Sequence, residues 1–266
     1  MSFYGKSFIY NSIPSDMYGL FISSIDSQAI NRTMGSSAME IVEKKIYRRA
    51  TPYFYGSTPL QKLSFPMSAH SEEELTADRF QSIQKWLFSS RTYKRLQVVQ
   101  EDMQEIYFNC ILNQPEIIRV GNLIQGFSCM VECDSPFAYR FPKTTTYSYT
   151  SSSVADTKVF YNESDDTGTY LYPKLVITVN SFGGSVTIRN LTESNRDFAF
   201  TGLSPNEILT VDCGLQTISS STGLRRLSNF NNKFLRLLPG SNSLRMLGAI
   251  KSIAMTTQFI SKKIGG

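Results

Sequence analysis

The chain has 266 residues, enough to bury a large core, and usual domain sizes make two domains the first expectation. Hydrophobic residues are 41% and charged residues only 18%, a balance that excludes disorder over most of the chain. The formal net charge of +5 is dispersed in short groups (Lys44, Lys45, Arg48 and Arg49; Arg91, Lys94 and Arg95; Lys262 and Lys263), not the concentrated basic face of a sequence-specific nucleic-acid binder.

From Phe8 to Ile25 short apolar segments are interrupted by Pro14 and Gly19, and from Met39 to Tyr47 apolar and charged residues mix without a helical stripe. Both stretches read as strands or extended arms. The polar residues among the first nineteen leave no apolar core for a signal peptide, and no segment approaches the length of a membrane span, so no membrane insertion and folding in a cytosol are expected. TADRFQSIQKWLFS reads as a helix: Thr76 is placed to cap it, and Phe80, Ile83, Trp86 and Leu87 recur at helical spacing. After it the period falls to two, at Leu96 and Val98, at Ile106 to Leu112, and at Phe127 to Cys133. The first half is therefore expected to be a β-barrel or β-sheet with one packed helix.

Residues 134–158 turn to Ser, Thr and Tyr and read as a linker or long arm. Strands are expected again at Leu175 to Asn180, Val186 to Asn190, Phe198 to Thr201, Ile208 to Cys213, Phe234 to Leu237 and Ser252 to Ile260, with tight connections at Gly183-Gly184 and Pro239-Gly240. In Pro239-Gly240-Ser241-Asn242 the proline presets a bend, the glycine takes a positive φ, and the asparagine bonds its own turn backbone. The stretch lacks the following helix and Lys-Ser/Thr of a phosphate loop. Short strands without intervening helices point to a β-sandwich, and the fold class is mainly β.

Catalytic and metal-binding constellations are sparse. His70, the one histidine, falls in SAHSEEEL and reads as a surface residue of a polar loop. Cys129 and Cys133 alternate on one strand face roughly 13 Å apart, too far to bridge, so buried free thiols are expected, and the four cysteines lack zinc spacing. Neither a metal nor a cofactor is expected, nor any catalytic residue. A glycosidase needs only two carboxylates, for which Asp165, Asp166, Glu207 and Asp212 are the candidates. Asp165-Asp166 reads as a solvated turn and Asp212 as an outward strand residue. The sequons at Asn31, Asn162 and Asn190 carry no weight without a secretion signal.

Read in order, a series of motifs resembles the distal tail protein (Dit) family of long-tailed, siphovirus-like bacteriophages. The opening SFIYNSIPSDMYGLFI carries Ser15, Asp16, Tyr18, Gly19 and Leu20 of a Ser-x-x-Tyr-Gly-Leu segment. YFYG at Tyr53 to Gly56, the strand KLSFPM, the helix ending in Trp86-Leu87, the strand at Lys94 to Val99 and Tyr107-Phe108 follow in similar order. GFSCMVECDSPFAY supplies Cys133, Pro136 and Tyr139, and the second half supplies Asn162, Gly168, Pro173, Asp212 in LTVDC and the Pro-Gly-x-Asn of LLPGSN.

The resemblance implies a ring-forming N-terminal tail domain over residues 1–141, and a linker with a galectin-like C-terminal β-sandwich over 142–266. It implies a structural, non-enzymatic hub of the tail tip or baseplate in the virion, assembled in the bacterial host cytoplasm. The expected partners are further copies in a homo-oligomeric, hexameric ring, the tail tube protein, and the tail-tip or tail-associated protein. Tape measure and receptor-binding proteins are further expected partners, with DNA only in transit through a channel. The alternative is a carbohydrate-binding module for host cell-wall polysaccharide, with Tyr170, Tyr172 or Phe182 as stacking platforms, because Trp86 and His70 fall in the other domain.

Overall fold

The computed structural model describes residues 7–23, 39–59 and 62–262. Two compact units divide the chain: Phe141 to Ile260 form the second, and the described residues on either side of that segment form the first.

The first unit contains β1 (Phe8–Tyr10), β2 (Ile13–Pro14), β3 (Leu20–Ile22), β4 (Met39–Lys44), β5 (Tyr53–Pro59), β6 (Ser64–Ser71), helix α1 (Ala77–Phe88), β7 (Lys94–Val98), β8 (Ile106–Val120), β9 (Leu123–Cys133) and β10 (Ala138–Arg140). Seven strands follow the order β2-β1-β7-β8-β9-β6-β3, and β10 joins beside β8. The order is open, ending at β2 and β3, so among the described residues the sheet alternative of the expectation is the one observed. Helix α1 begins where Thr76 accepts a hydrogen bond from Arg79 N, and it buries Phe80, Ile83 and Leu87. These side chains enter one core with Phe8, Leu20, Met67, Leu96, Phe108 and Val131 from the sheet. At Gly126 the backbones of β6 and β9 approach so closely that a Cβ would lie 2.1 Å from the Ala69 carbonyl oxygen.

The second unit contains β11 (Lys143–Ser148), β12 (Val154–Asn162), β13 (Lys174–Val179), β14 (Gly184–Asn190), β15 (Arg196–Leu203), β16 (Ile208–Asp212), β17 (Thr217–Ser220), β18 (Gly240–Gly248) and β19 (Ile250–Thr257). A two-residue strand, β20 (Ile260–Ser261), follows and pairs with β10. One antiparallel sheet has the order β11-β19-β13-β16-β17 and the other β12-β18-β14-β15. Leu175, Ile177, Leu209, Val211 and Ile253 of the first share one core with Val186, Ile188, Phe198, Phe200, Leu244 and Met246 of the second, which makes the pair a sandwich.

Three sequence expectations are corrected. The stretch expected as a linker at 134–158 holds β10, β11 and the start of β12. Strand β11 is paired on one side only, with β19, so its side chains need not be aliphatic and the usual apolar signal is missing. The strand expected at Phe234 to Leu237 is instead an extended segment held by a single bridge from Leu237 to Leu171, while SNSLRML, across the turn, forms the long strand β18. His70 lies in β6 rather than in a loop, and its half-buried ring bonds Ser23 Oγ through Nδ1.

Candidate functional site

The conspicuous sequence landmarks sit at bonded structural positions. Ser15 is fully buried and its Oγ accepts from Phe8 N at 3.0 Å, which fixes the entry of β1. Trp86 of α1 stacks against Tyr18 (ring centroids 4.8 Å apart) and Phe8 (5.9 Å), and its indole N–H donates to Tyr10 O at 3.1 Å. The indole is committed to holding the N-terminal strands on the helix. Tyr139 donates its hydroxyl to Asp134 Oδ1 at 3.1 Å, and Asn109 donates to Asp134 Oδ2 at 3.3 Å, so one carboxylate ties the end of β9 to β8 and β10.

In the second unit, Asn242 is fully buried. Its Oδ1 accepts from Leu238 N at 2.9 Å, and its Nδ2 donates to Leu238 O at 2.8 Å and Gly240 O at 3.1 Å. Gly240 has φ +79°, as the turn requires. Asn190 donates to Asn242 Oδ1 and to Arg236 O, and Asn162 donates to Leu238 O. Three carboxamides from neighbouring strands thus clamp residues 236–242. The positive φ of Gly240 and the local backbone bonds of Asn242 are as expected, but the turn is displaced: Gly240, Ser241 and Asn242 open strand β18, opposite Asn162, Tyr161 and Phe160 of β12.

Of the candidate carboxylates, Asp166, Asp212 and Glu207 are each engaged in hydrogen bonds. Asp166 accepts from Gly168 N and Thr169 Oγ1 in a tight turn, and Asp212 Oδ1 accepts from Gly214 N and Leu215 N. Glu207 is buried, with Arg226 bonding both its oxygens at 2.8 and 2.6 Å, Ser220 Oγ donating at 2.6 Å and Ser204 N at 2.8 Å. Burial opposes its charged form, but the donors from Arg226, Ser220 and Ser204 outweigh that and hold its pKa below the usual carboxylate range. Such a group is a poor general acid. Glu207 and Asp212 are five positions apart along extended chain, about 17 Å, well beyond the carboxylate spacing of a glycosidase. His70 has its pKa lowered by burial. All four cysteines are buried and free; burial pushes Cys129, Cys133 and Cys213 up to about 12 and Cys110 upward as well. Among the described residues no three His, Cys, Asp or Glu side chains gather as a metal set, and no helix is long and apolar enough to cross a membrane.

Tyr170 and Tyr172 are partly exposed, and Phe182 is 72% exposed. The Arg236 guanidinium lies 4.1 Å from the centre of the Tyr170 ring while pairing with Glu193, so one face of that tyrosine is already covered.

Exposed apolar side chains occur on both units, and on the first they cluster on two extensions. Strands β4 and β5 form a two-stranded sheet of their own, in the register Ile41 with Ser57, Val42 with Gly56, and Lys44 with Tyr53. Ile41, Val42, Tyr53, Phe54 and Tyr55 are each at least 45% exposed, on both faces, and Tyr47 is 88% exposed near the tip. Arg49 sits 4.0 Å from the Tyr53 ring centre, and Lys44, Lys45 and Arg48 make the same hairpin basic. The second extension is the outer half of the β8–β9 hairpin, where Ile117, Val120 and Leu123 are exposed. Period-two alternation led to the buried half of that hairpin and missed the outer half, because two solvated faces leave no alternation to read.

Comparison with known proteins gives the same frame. The protein is 22% identical over 243 residues to the SPbeta prophage-derived protein YomH of Bacillus subtilis (strain 168), covering 91% of this chain and 92% of YomH. The Dit protein (gp 19.1) of phage SPP1, described as a paradigm of the hub adsorption apparatus in phages infecting Gram-positive bacteria, matches with a TM-score of 0.64 and 11% identity. That match covers 96% of this chain and 99% of the SPP1 chain. A chain of the phage p2 baseplate in its activated conformation matches with a TM-score of 0.54 and 8% identity over 97% of this chain and 99% of its own. The expected likeness to distal tail proteins therefore holds at the level of the fold. The family description "Phage tail protein N-terminal domain" matches residues 3–135, half of the chain, and "Phage tail C-terminal domain" matches 137–256. The chain belongs to the phage tail protein family that these two domains define.

Proposed function

We propose that the protein is a hub subunit of a phage tail tip, whose first unit closes with further copies into a six-membered ring. In this reading the ring joins the tail tube to the tail-tip protein, leaves a channel for DNA, and resides in the virion. The observation that carries it is the β4–β5 hairpin, a two-stranded element with apolar side chains exposed on both faces. An isolated hairpin is marginal in water, and an apolar surface of this kind marks an association site. Its occupant is a second copy of the chain. The hairpin tip is basic through Lys44, Lys45, Arg48 and Arg49, and the exposed run Glu72, Glu73 and Glu74 on the same unit supplies the complementary charge. A patch that meets a different patch on the next copy makes a head-to-tail contact, the kind that generates rings. The likeness of fold to SPP1 Dit over nearly the whole chain supports the same role.

Sedimentation velocity and negative-stain electron microscopy of the full chain, alone and with the tail tube protein, test the reading. Rings of six subunits are expected under at least one of the two conditions. A monomer under both overturns it.

A further inference from the structure

Cys110 of β8 and Cys133 of β9 are direct partners in the antiparallel register, although 23 positions separate their numbers in the chain. The neighbouring pair, Asn109 and Asp134, is joined by a hydrogen bond from Asp134 N to Asn109 O at 2.9 Å. Hydrogen-bonded and non-hydrogen-bonded pairs alternate along such a ladder, so Cys110 and Cys133 occupy a non-hydrogen-bonded pair. The Cys133 amide agrees, since it turns away from β8 and donates to Leu63 O at 2.9 Å. Pairs of this type bring Cα atoms to about 4.5 Å with side chains on the same face, inside the range that a disulfide spans. Both thiols lie in the core of the first unit. The other two cysteines are badly placed for bridging: Cys129 is roughly 13 Å along the strand from Cys133, and Cys213 belongs to the core of the second unit.

We propose that Cys110 and Cys133 form a cross-strand disulfide when the folded protein meets a small-molecule disulfide oxidant, as it does on leaving a reducing cytosol. The Cys133 thiol gives up its proton, and the thiolate attacks one sulfur of the oxidant, breaking that S–S bond and expelling one thiolate. The Cys110 thiolate, its proton also lost to solvent, then attacks the Cys133 sulfur of the mixed disulfide, forming the Cys110–Cys133 bond and expelling the second thiolate. Two protein thiols are oxidised, and the oxidant is reduced to two thiols that take up the two protons. Cys133 is the entry point because it ends β9 and borders the turn at 134–137, so opening only that end of the sheet admits the oxidant. Burial makes the reaction slow but leaves the choice of partner to the register. The pairing uses no other subunit and stands independently of the proposed hub role.

The test incubates the full-length reduced protein with oxidised glutathione at mildly alkaline pH, quenches by alkylation, and maps the peptides without reduction. The expected product has lost the mass of two hydrogens and carries a Cys110–Cys133 linked peptide, with Cys129 and Cys213 alkylated once the protein is unfolded. Its Tm rises by several degrees and returns on adding dithiothreitol. Cys110→Ala gives no intramolecular link. Four free thiols after prolonged incubation, including in urea below the unfolding midpoint, overturn the proposal. So does glutathione retained as a mixed disulfide, or any link through Cys129 or Cys213. The wild-type map decides the matter even if the variant fails to fold.

Discussion

Arg226 covers Glu207 with two hydrogen bonds while also donating to Gly202 O and Ser204 Oγ, so it fastens the segment after β17 to the end of β15 and the turn that follows it. Replacing it with methionine keeps the bulk but leaves a buried carboxylate facing only Ser220 and Ser204. Arg226→Met is expected to cost about 3 to 5 kcal/mol in urea unfolding at neutral pH. The pH dependence carries a sign that tests the cause. In the wild type Glu207 has a depressed pKa, so its contribution is fully present above the unfolded value of about 4.3 and is lost as pH falls through the folded value. In Arg226→Met the buried, unpaired carboxylate has a raised pKa, so protonation relieves the penalty and the deficit relative to wild type shrinks as pH falls toward 4 to 5, roughly the carboxylate range. A deficit unchanged across that window would assign the loss to packing. At this scale the sequence was legible in its landmarks and silent about their use. Asp166 could be recognised as a turn residue because Asx turns are local, whereas Asp212, read as an outward strand residue, ends β16 and bonds the turn after it, and Asn242 lies in β18 and bonds back to Leu238. The Glu207–Arg226 pair could not be found, because its partners come together only when loops on either side of β16 and β17 fold.

At the level of elements, the close approach of β6 and β9 at Gly126 leaves no room for any side chain. Gly126→Ala is expected to lower stability by about 2 kcal/mol or more, read as a lower urea midpoint at unchanged slope. The elements legible in the sequence were those with one wet and one dry face. Helix α1 gave a clear stripe, and β13 to β16 appeared within a few residues of their observed bounds because Leu, Val, Ile and Phe alternate with polar residues. The rest escaped for physical reasons. Strand β11 borders a sheet and carries Thr and Tyr, β17 is short and polar, and β4, β5 and the outer β8–β9 hairpin are wet on both faces. The displaced strand at Phe234 to Leu237 shows a subtler limit. Leu235 and Leu237 are buried and Phe234 partly so, but their backbone is held by asparagine side chains and one bridge rather than by a ladder.

For the whole molecule, the exposed hairpin separates folding from assembly. The paired substitution Phe54→Ser and Tyr55→Ser removes apolar surface that the subunit itself does not bury. It is expected to leave the unfolding midpoint within about 0.5 kcal/mol of wild type while raising the dissociation constant for self-association at least about tenfold. Concentration-dependent sedimentation measures the second quantity and thermal or urea unfolding the first. Equal association by the two proteins would remove the hairpin from the interface. The division of the chain carries a consequence of a different kind, one of inheritance. Since Ser261 and Lys262 group with the first unit, the second unit is an insertion rather than a tail, and a single genetic crossover near Arg140 cannot exchange it cleanly. Two are needed, one at each border of the segment from Phe141 to Ile260. Lineages that trade this unit are therefore expected to keep residues of the old chain on both sides of the foreign segment, a scar that marks the exchange as replacement of an insert.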